Sequence, residues 1–161
     1  MPYTVVHNAE KCDGCLTCVK ACAEIHEGLA NCQILKCGDK FVYFSCMQCK
    51  RPQCAEACPT GAMRRENEIV VLVRDLCVGC LNCVYACPWG VPRFNPQTGR
   101  VGKCDLCHER VAEGKKPACV EACPNEALAV KEVKPPAKKK AAAAAKAAPK
   151  AAPKAAAAKG G

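Results

Sequence analysis

The stretch Cys77–Pro88, CVGCLNCVYACP, decides how this chain folds, because its four cysteines follow the spacing C-x2-C-x2-C-x3-C before a proline. The same cysteine spacing recurs over Cys12–Cys22. Two further sets keep the first x2 step and the last x3 step but widen the middle step, to x4 over Cys46–Cys58 and to x11 over Cys104–Cys123. Sixteen of the 18 cysteines therefore fall into four tetrads, and proline follows three of these tetrads.

This spacing is typical of 4Fe–4S ligation, in which three cysteines wrap one cluster and the fourth ligates the other cluster of a pair. The fourth cysteine is expected in a helical turn, which proline ends because it lacks an N–H and restricts the residue before it. Four tetrads predict four clusters in a row, an arrangement that can conduct electrons. The predicted ligands are Cys12, Cys15, Cys18, Cys22, Cys46, Cys49, Cys54, Cys58, Cys77, Cys80, Cys83, Cys87, Cys104, Cys107, Cys119 and Cys123.

Zinc sites and disulfides are the alternatives for so many cysteines. Structural zinc uses two C-x2-C pairs, or one such pair with histidines, but the three histidines, His7, His26 and His108, form no H-x3–5-H pair. A disulfide-rich secreted domain would carry a signal peptide, and none is visible before Cys12. The sequence therefore favours iron–sulfur clusters and a cytoplasmic location.

Cys32 and Cys37 lie outside the tetrads. Two thiols cannot hold a cubane cluster by themselves. They are interpreted as small buried apolar side chains, which free cysteines often are. A redox or partner-facing role is the alternative.

The positive charge of the chain is concentrated at its C-terminal end. The formal net charge is +9, and residues 131–161 hold nine lysines and one glutamate. Each cluster with its four thiolates adds about two negative charges. The loaded chain is therefore expected to be an acidic body with a basic Ala/Lys/Pro tail, in which a helix is predicted from the alanine and lysine content.

Several segments outside the tetrads have readable local patterns. Strand, turn and strand are predicted over Ala62–Arg64 and Ile69–Val73. A strand is predicted over Phe41–Phe44 and a short helix over His108–Ala112. Residues 89–103 are rich in proline and glycine and are interpreted as a loop.

The segments that follow two of the tetrads are alike. CPTGAM begins at Cys58 and CPNEAL begins at Cys123. The likeness predicts the same local geometry after both tetrads.

The sequence offers no site for catalysis. It contains no Ser/His/Asp set, no phosphate-binding glycine loop and no paired carboxylates. No apolar run approaches the length needed to span a membrane.

The order of the tetrads resembles that of the four-cluster electron-transfer subunits of molybdenum and tungsten oxidoreductases, of the dimethyl sulfoxide reductase, formate dehydrogenase and formate hydrogenlyase type. The resemblance covers roughly residues 1–130 and is carried by RPQCAEACPTGAM, CVGCLNCVYACPWGVPRF, KCDLC and KPACVEACPNEAL. It implies an α+β fold of two ferredoxin-like modules, each binding two 4Fe–4S clusters. One module would comprise residues 1–38 and 100–130, the other residues 39–99, and residues 131–161 would be a partner-docking tail.

The resemblance also implies how the tetrads share clusters, with tetrad one paired with four and two paired with three. Spacing alone leaves open the pairing of one with two and three with four. The implied ligand sets are Cys12, Cys15, Cys18 and Cys123 for cluster A; Cys104, Cys107, Cys119 and Cys22 for cluster B; Cys46, Cys49, Cys54 and Cys87 for cluster C; and Cys77, Cys80, Cys83 and Cys58 for cluster D.

The implied function is electron transfer, without catalysis by this chain, between a catalytic molybdenum or tungsten subunit and another redox partner. The chain is also similar to the small polyferredoxin subunits of bacterial tungsten aldehyde oxidoreductases and of soluble formate dehydrogenase or hydrogenase complexes. A flavin subunit or further copies of the chain are additional expected partners, the latter giving filaments through the basic tail. A free soluble polyferredoxin is the alternative, and a nucleic-acid-binding role for the tail is disfavoured.

Overall fold

The computed structural model describes residues 3–132, which form short helices and strands around the cysteine loops. The helices are α1 (Thr17–Ile25), α2 (Gln53–Glu56), α3 (Asn82–Ala86), α4 (His108–Ala112) and α5 (Ala118–Glu121), with a 3-10 turn at Arg74–Leu76. The strands are β1 (Tyr3–His7), β2 (Gln33–Cys37), β3 (Lys40–Phe44), β4 (Met63–Glu66), β5 (Ile69–Leu72), β6 (Arg93–Asn95), β7 (Arg100–Gly102) and β8 (Leu128–Glu132).

The strands form four antiparallel pairs rather than one sheet. Three pairs are hairpins of consecutive strands: β2 with β3, β4 with β5, and β6 with β7. The fourth pair joins β1 to β8 and so brings the two ends of the described chain together. Helices α1 and α5 also pack on each other, so tetrads one and four lie side by side.

Each tetrad places its third cysteine on a short helix. These cysteines are Cys18, Cys54, Cys83 and Cys119, and all four are buried. Pro52 and Pro117 directly precede α2 and α5, where a residue without an N–H costs nothing because the first helical donors have no partner. The helices thus fix one inward-pointing thiol in each tetrad.

The apolar core is small and is built partly from cysteine. Cys18, Cys22, Cys32, Cys119 and Leu128 form one buried cluster. A second cluster consists of Cys54, Met63, Val70, Cys83 and Val101. Such a core suits a small scaffold that gains stability from bound metal.

The prediction of a loop over residues 89–103 was wrong, because this stretch contains the hairpin β6–β7. Its turn is closed by Asn95, whose carbonyl accepts the Gly99 N–H at 2.9 Å and whose side chain accepts the Gln97 N–H at 3.0 Å. A Cβ on Gly79 would lie 2.3 Å from the Gly99 carbonyl oxygen. The glycine in the third tetrad therefore lets this hairpin approach closely.

The predicted basic tail, its helix and its role in filaments lie outside the described residues, except that Lys131 and Glu132 continue β8. Within residues 3–132 no helix combines the length and apolar character needed to cross a membrane.

Candidate iron–sulfur sites

The first cavity is lined by four cysteines from opposite ends of the described chain. Cys12, Cys15 and Cys18 come from tetrad one and Cys123 comes from tetrad four. The empty volume is about 320 Å³. This is the ligand set that the resemblance implies for cluster A.

A second cavity has the same construction. Its wall contains Cys77, Cys80 and Cys83 from tetrad three together with Cys58 from tetrad two, around an empty volume of about 300 Å³. These are the residues implied for cluster D.

The pairing register explains why these two cavities match. His7 pairs with Leu128, and these residues lie five positions before Cys12 and five after Cys123. In the other half of the molecule Met63 pairs with Leu72. Met63 lies five positions after Cys58, the fourth cysteine of tetrad two, and Leu72 lies five positions before Cys77, the first cysteine of tetrad three. The two strand pairs therefore deliver a fourth cysteine to a three-cysteine loop in the same way.

The third cavity contains Cys46, Cys49 and Cys54 with Cys87, around an empty volume of about 280 Å³. Met47 and Trp89 also line this cavity and are about half exposed. The cysteines are those implied for cluster C.

The remaining set, Cys104, Cys107, Cys119 and Cys22, is linked through two polar side chains. The Tyr43 hydroxyl donates to Cys119 Sγ at 3.3 Å, and the His26 ring contacts the thiols of Cys22 and Cys107. Although burial of the ring opposes protonation, these two contacts raise the pKa of His26 to about 9.

The donor chemistry of the four sets fits 4Fe–4S clusters. Backbone N–H groups donate to the fourth cysteine of three tetrads: Asn31 to Cys22 at 3.3 Å, Met63 to Cys58 at 3.4 Å and Ala127 to Cys123 at 3.3 Å. Hydrogen bonds to ligand sulfur are one of the factors that set cluster potentials.

Burial keeps several of these thiols protonated when no metal is bound. Desolvation first, and then neighbouring thiols, raise the pKa of Cys18, Cys83 and Cys119 to about 11. Burial also raises the pKa of Cys104 to about 12. Since a metal ligand must be the thiolate, cluster assembly has to release these protons.

Lys103 is a buried cation between two of the cysteine sets. Its Nζ donates to Cys46 Sγ at 3.5 Å, to the Cys104 carbonyl at 2.6 Å and to the Val70 carbonyl. An ammonium has three donors and no acceptor, so all its hydrogen-bonding capacity is used. The residue joins the Cys46 set to the Cys104 set, which makes these two sets neighbours.

The two cysteines outside the tetrads differ in their environment. Cys32 is buried, as predicted, whereas the prediction of burial was wrong for Cys37, which is exposed at the end of β2. The Cys32 thiol donates to the Cys18 carbonyl at 3.8 Å. Its contact with Cys22 is the largest cause that lowers the pKa of Cys22, and the same contact raises the pKa of Cys32. The contact therefore favours the thiolate at Cys22 and the neutral thiol at Cys32.

We expect the double variant Cys32→Ala, Cys37→Ala to retain the full iron content. Neither residue completes one of the four sets, and alanine preserves most of the small apolar volume at Cys32. Anaerobic iron and sulfide analysis measures this, with Cys22→Ala as the matched variant that should disturb a cluster. Loss of about four irons from the double variant would mean that a ligand set is misassigned.

We expect Tyr43→Phe to lower the potential of the cluster bound by the Cys104 set. Burial raises the pKa of Tyr43 strongly, so its hydroxyl stays a donor to Cys119. Loss of one such bond is worth about 1 kcal/mol, or about 40 mV for a one-electron couple. An EPR-monitored redox titration measures the shift, with the exposed Tyr85→Phe as control. Equal potentials in wild type and Tyr43→Phe would contradict this role.

These sites define an iron–sulfur protein, and comparison with known proteins identifies its family. A family model for the 4Fe–4S dicluster domain matches residues 38–133, and one for a 4Fe–4S binding domain matches residues 9–24. The B subunit of anaerobic dimethyl sulfoxide reductase from Escherichia coli K12 is 39% identical over 146 residues, which cover 78% of this chain and 71% of that protein. The thiosulfate reductase electron transfer subunit PhsB of Salmonella typhi is 39% identical over 141 residues, covering 78% and 73%. Protein NrfC of E. coli K12 is 40% identical over 141 residues, covering 78% and 63%.

The chain therefore belongs to the 4Fe–4S dicluster family of electron-transfer subunits. This membership confirms the predicted family and the predicted 4Fe–4S cofactors. It also confirms the predicted role as an electron-transfer subunit rather than an enzyme.

Sequence reasoning missed the side chains that surround the cysteines. Lys103 directly precedes Cys104 in the sequence. Its contacts with Cys46 and with the Val70 carbonyl of β5 form only in the folded chain. Tyr43 lies on β3, 76 positions from the cysteine that it contacts. No local pattern signals such long-range contacts.

Proposed function

We propose that this chain is the electron relay of an oxidoreductase complex, passing single electrons between a catalytic molybdenum or tungsten subunit and a second redox partner. The observation that carries the proposal is the convergence of three cysteines from one tetrad and one from another on each of three cavities. When bound, each 4Fe–4S cluster supplies a one-electron couple.

The proposed ligand sets are those named clusters A, B, C and D above. The proposed order of the relay is A, B, C, D. Sets A and B share tetrads one and four, while sets C and D share tetrads two and three. Lys103 supports the junction between B and C, because it contacts Cys46 and the Cys104 carbonyl together.

The division into two modules, residues 1–38 with 100–130 and residues 39–99, is part of the same proposal. Pairing of β1 with β8 supports the first module, and pairing of β4 with β5 supports the second. The hairpin β2–β3 crosses the proposed boundary, and its Tyr43 reaches Cys119 of the first module.

For the catalytic partner we favour a tungsten aldehyde oxidoreductase or a soluble formate dehydrogenase or hydrogenase complex. The relatives named above include subunits of dimethyl sulfoxide and thiosulfate reductases, which supports a partner of the molybdenum class. A flavin subunit, self-association into filaments and a cytoplasmic location stay predictions from the sequence.

Anaerobic affinity purification of the native chain tests this function. We expect a large molybdenum- or tungsten-containing subunit to co-purify at a fixed ratio, and about sixteen irons per copy of the chain. Rapid mixing of the dithionite-reduced chain with that oxidised subunit should then transfer electrons to it. A chain that purifies alone at every salt concentration, with its clusters complete, would favour the free polyferredoxin.

A further inference from the structure

His7 occupies a distinctive place beside the first cysteine cavity. It ends β1 and lines the cavity formed by Cys12, Cys15, Cys18 and Cys123. Its position follows from the register of the strand pair, which sets His7 opposite Leu128.

The hydrogen bonding of His7 determines which ring nitrogen carries the proton. Nδ1 accepts the backbone N–H of Tyr43 at 3.4 Å. Because Nδ1 accepts this bond, it carries no proton, and the proton of the ring lies on Nε2. Burial lowers the pKa of His7, which favours this neutral form. Within residues 3–132 this Nε2 is buried and has no hydrogen-bond partner.

A buried donor without a partner is rare in folded proteins and often marks an absent ion or cofactor. Here the ring lines the cavity that is proposed to hold a cluster rich in sulfur acceptors. The missing acceptor is therefore expected on the cluster.

The other half of the molecule provides an internal comparison. The residue equivalent to His7 is Leu72, which pairs with Met63 and lines the cavity of Cys58, Cys77, Cys80 and Cys83. Leucine has no donor. At this wall position the two matching cavities differ, with histidine in one and leucine in the other, and they differ also where Asp13 stands in the first and Val78 in the second.

We propose that the Nε2–H of His7 donates a hydrogen bond to a sulfur of cluster A and so raises the reduction potential of that cluster. The inference rests on the proposed function and its ligand sets. A hydrogen bond to cluster sulfur is stronger in the reduced state, which carries one more negative charge. The hydrogen bond therefore makes cluster A a better electron acceptor than it would be with an apolar side chain at position 7.

The test compares iron-loaded wild type with His7→Leu and His7→Gln by EPR-monitored redox titration. Both variants lose the ring nitrogen Nδ1 that accepts the Tyr43 N–H. Leucine has no donor, whereas the glutamine amide N–H group can replace the Nε2–H donor of the histidine. In His7→Leu we expect one of four potentials to fall, by about tenfold in the reduction equilibrium or about 59 mV. His7→Gln should stay close to wild type.

A second readout identifies the contact itself. With ¹⁵N-histidine labelling, pulsed EPR of the reduced protein should show a weak ¹⁵N coupling that disappears in His7→Leu, apart from any coupling from His26. The reciprocal variant Leu72→His should raise one potential. This variant keeps the proposal testable if His7→Leu fails to load its clusters.

The inference is overturned if His7→Leu keeps four clusters at unchanged potentials, or if His7→Leu and His7→Gln shift equally. It is also overturned if His7→Leu fails to load and Leu72→His raises no potential. Wild-type protein that does not hold four clusters would instead contradict the proposed ligand sets. The two failures are therefore distinguishable.

Discussion

Replacing Cys12 and Cys123 together by alanine is expected to leave three intact 4Fe–4S clusters, whereas replacing Cys12 and Cys22 together should leave two. Cys12 and Cys123 line one cavity, so their loss removes ligands from a single cluster. Cys12 and Cys22 belong to one tetrad, but the proposed assignment places them on different clusters. Iron and sulfide analysis with EPR spin quantitation of the reduced variants counts the intact clusters.

The opposite result, with the larger loss in the Cys12, Cys123 pair, would mean that each tetrad holds its own cluster. The second half of the molecule offers an independent repeat of the experiment. There, replacing Cys77 and Cys58 together by alanine should remove one cluster, whereas replacing Cys77 and Cys87 together should remove two. The exposed Cys37→Ala is the control for loss of a thiol that belongs to no set.

The second large effect is expected for Lys103→Met, which removes a buried positive charge while keeping much of the side-chain length. A unit charge about 6 Å from a cluster contributes about 3 kcal/mol at an effective dielectric constant of about 20. For a one-electron couple this corresponds to about 120 mV. We expect the potentials of clusters B and C to fall, because Lys103 contacts both ligand sets.

Two matched variants separate charge from packing at this position. Lys103→Arg retains the positive charge, so the potentials of clusters B and C should stay close to those of the wild type. Lys50→Met removes an exposed cation directly after Cys49, where solvent screening makes the expected shift small. If redox titration finds equal shifts in potential for Lys103→Met and Lys50→Met, the buried ammonium does not set the potentials of clusters B and C.

The local elements could be predicted from the sequence because their causes are local. The helix predicted over His108–Ala112 is confirmed as α4. The predicted strand pair near Ala62 and Ile69 is confirmed as β4 and β5, with ends that differ from the prediction by up to two residues. The likeness of the segments after Cys58 and Cys123 also correctly indicated equal geometry, since each leads into a strand five residues later.

The features that could not be predicted depend on contacts between residues that are distant in the sequence. Pairing of β1 with β8 joins residues more than 100 positions apart, and no pattern within either strand identifies its partner. The hairpin at Arg93–Gly102 was missed because its turn residues dominated the composition of the stretch. His7 and Tyr43 carry ordinary side chains, and only the folded chain places them beside cysteines. Lys103 precedes Cys104 in the sequence, but only the folded chain places it beside Cys46.

The most direct test of the account is an anaerobic coulometric titration of the purified chain, followed by visible absorbance and EPR. An electron relay with four 4Fe–4S clusters should accept about four electrons per chain, one for each cluster. All four should be returned reversibly to an oxidant. Uptake of about two electrons or fewer by protein with its full metal content, or zinc in place of iron, would contradict it.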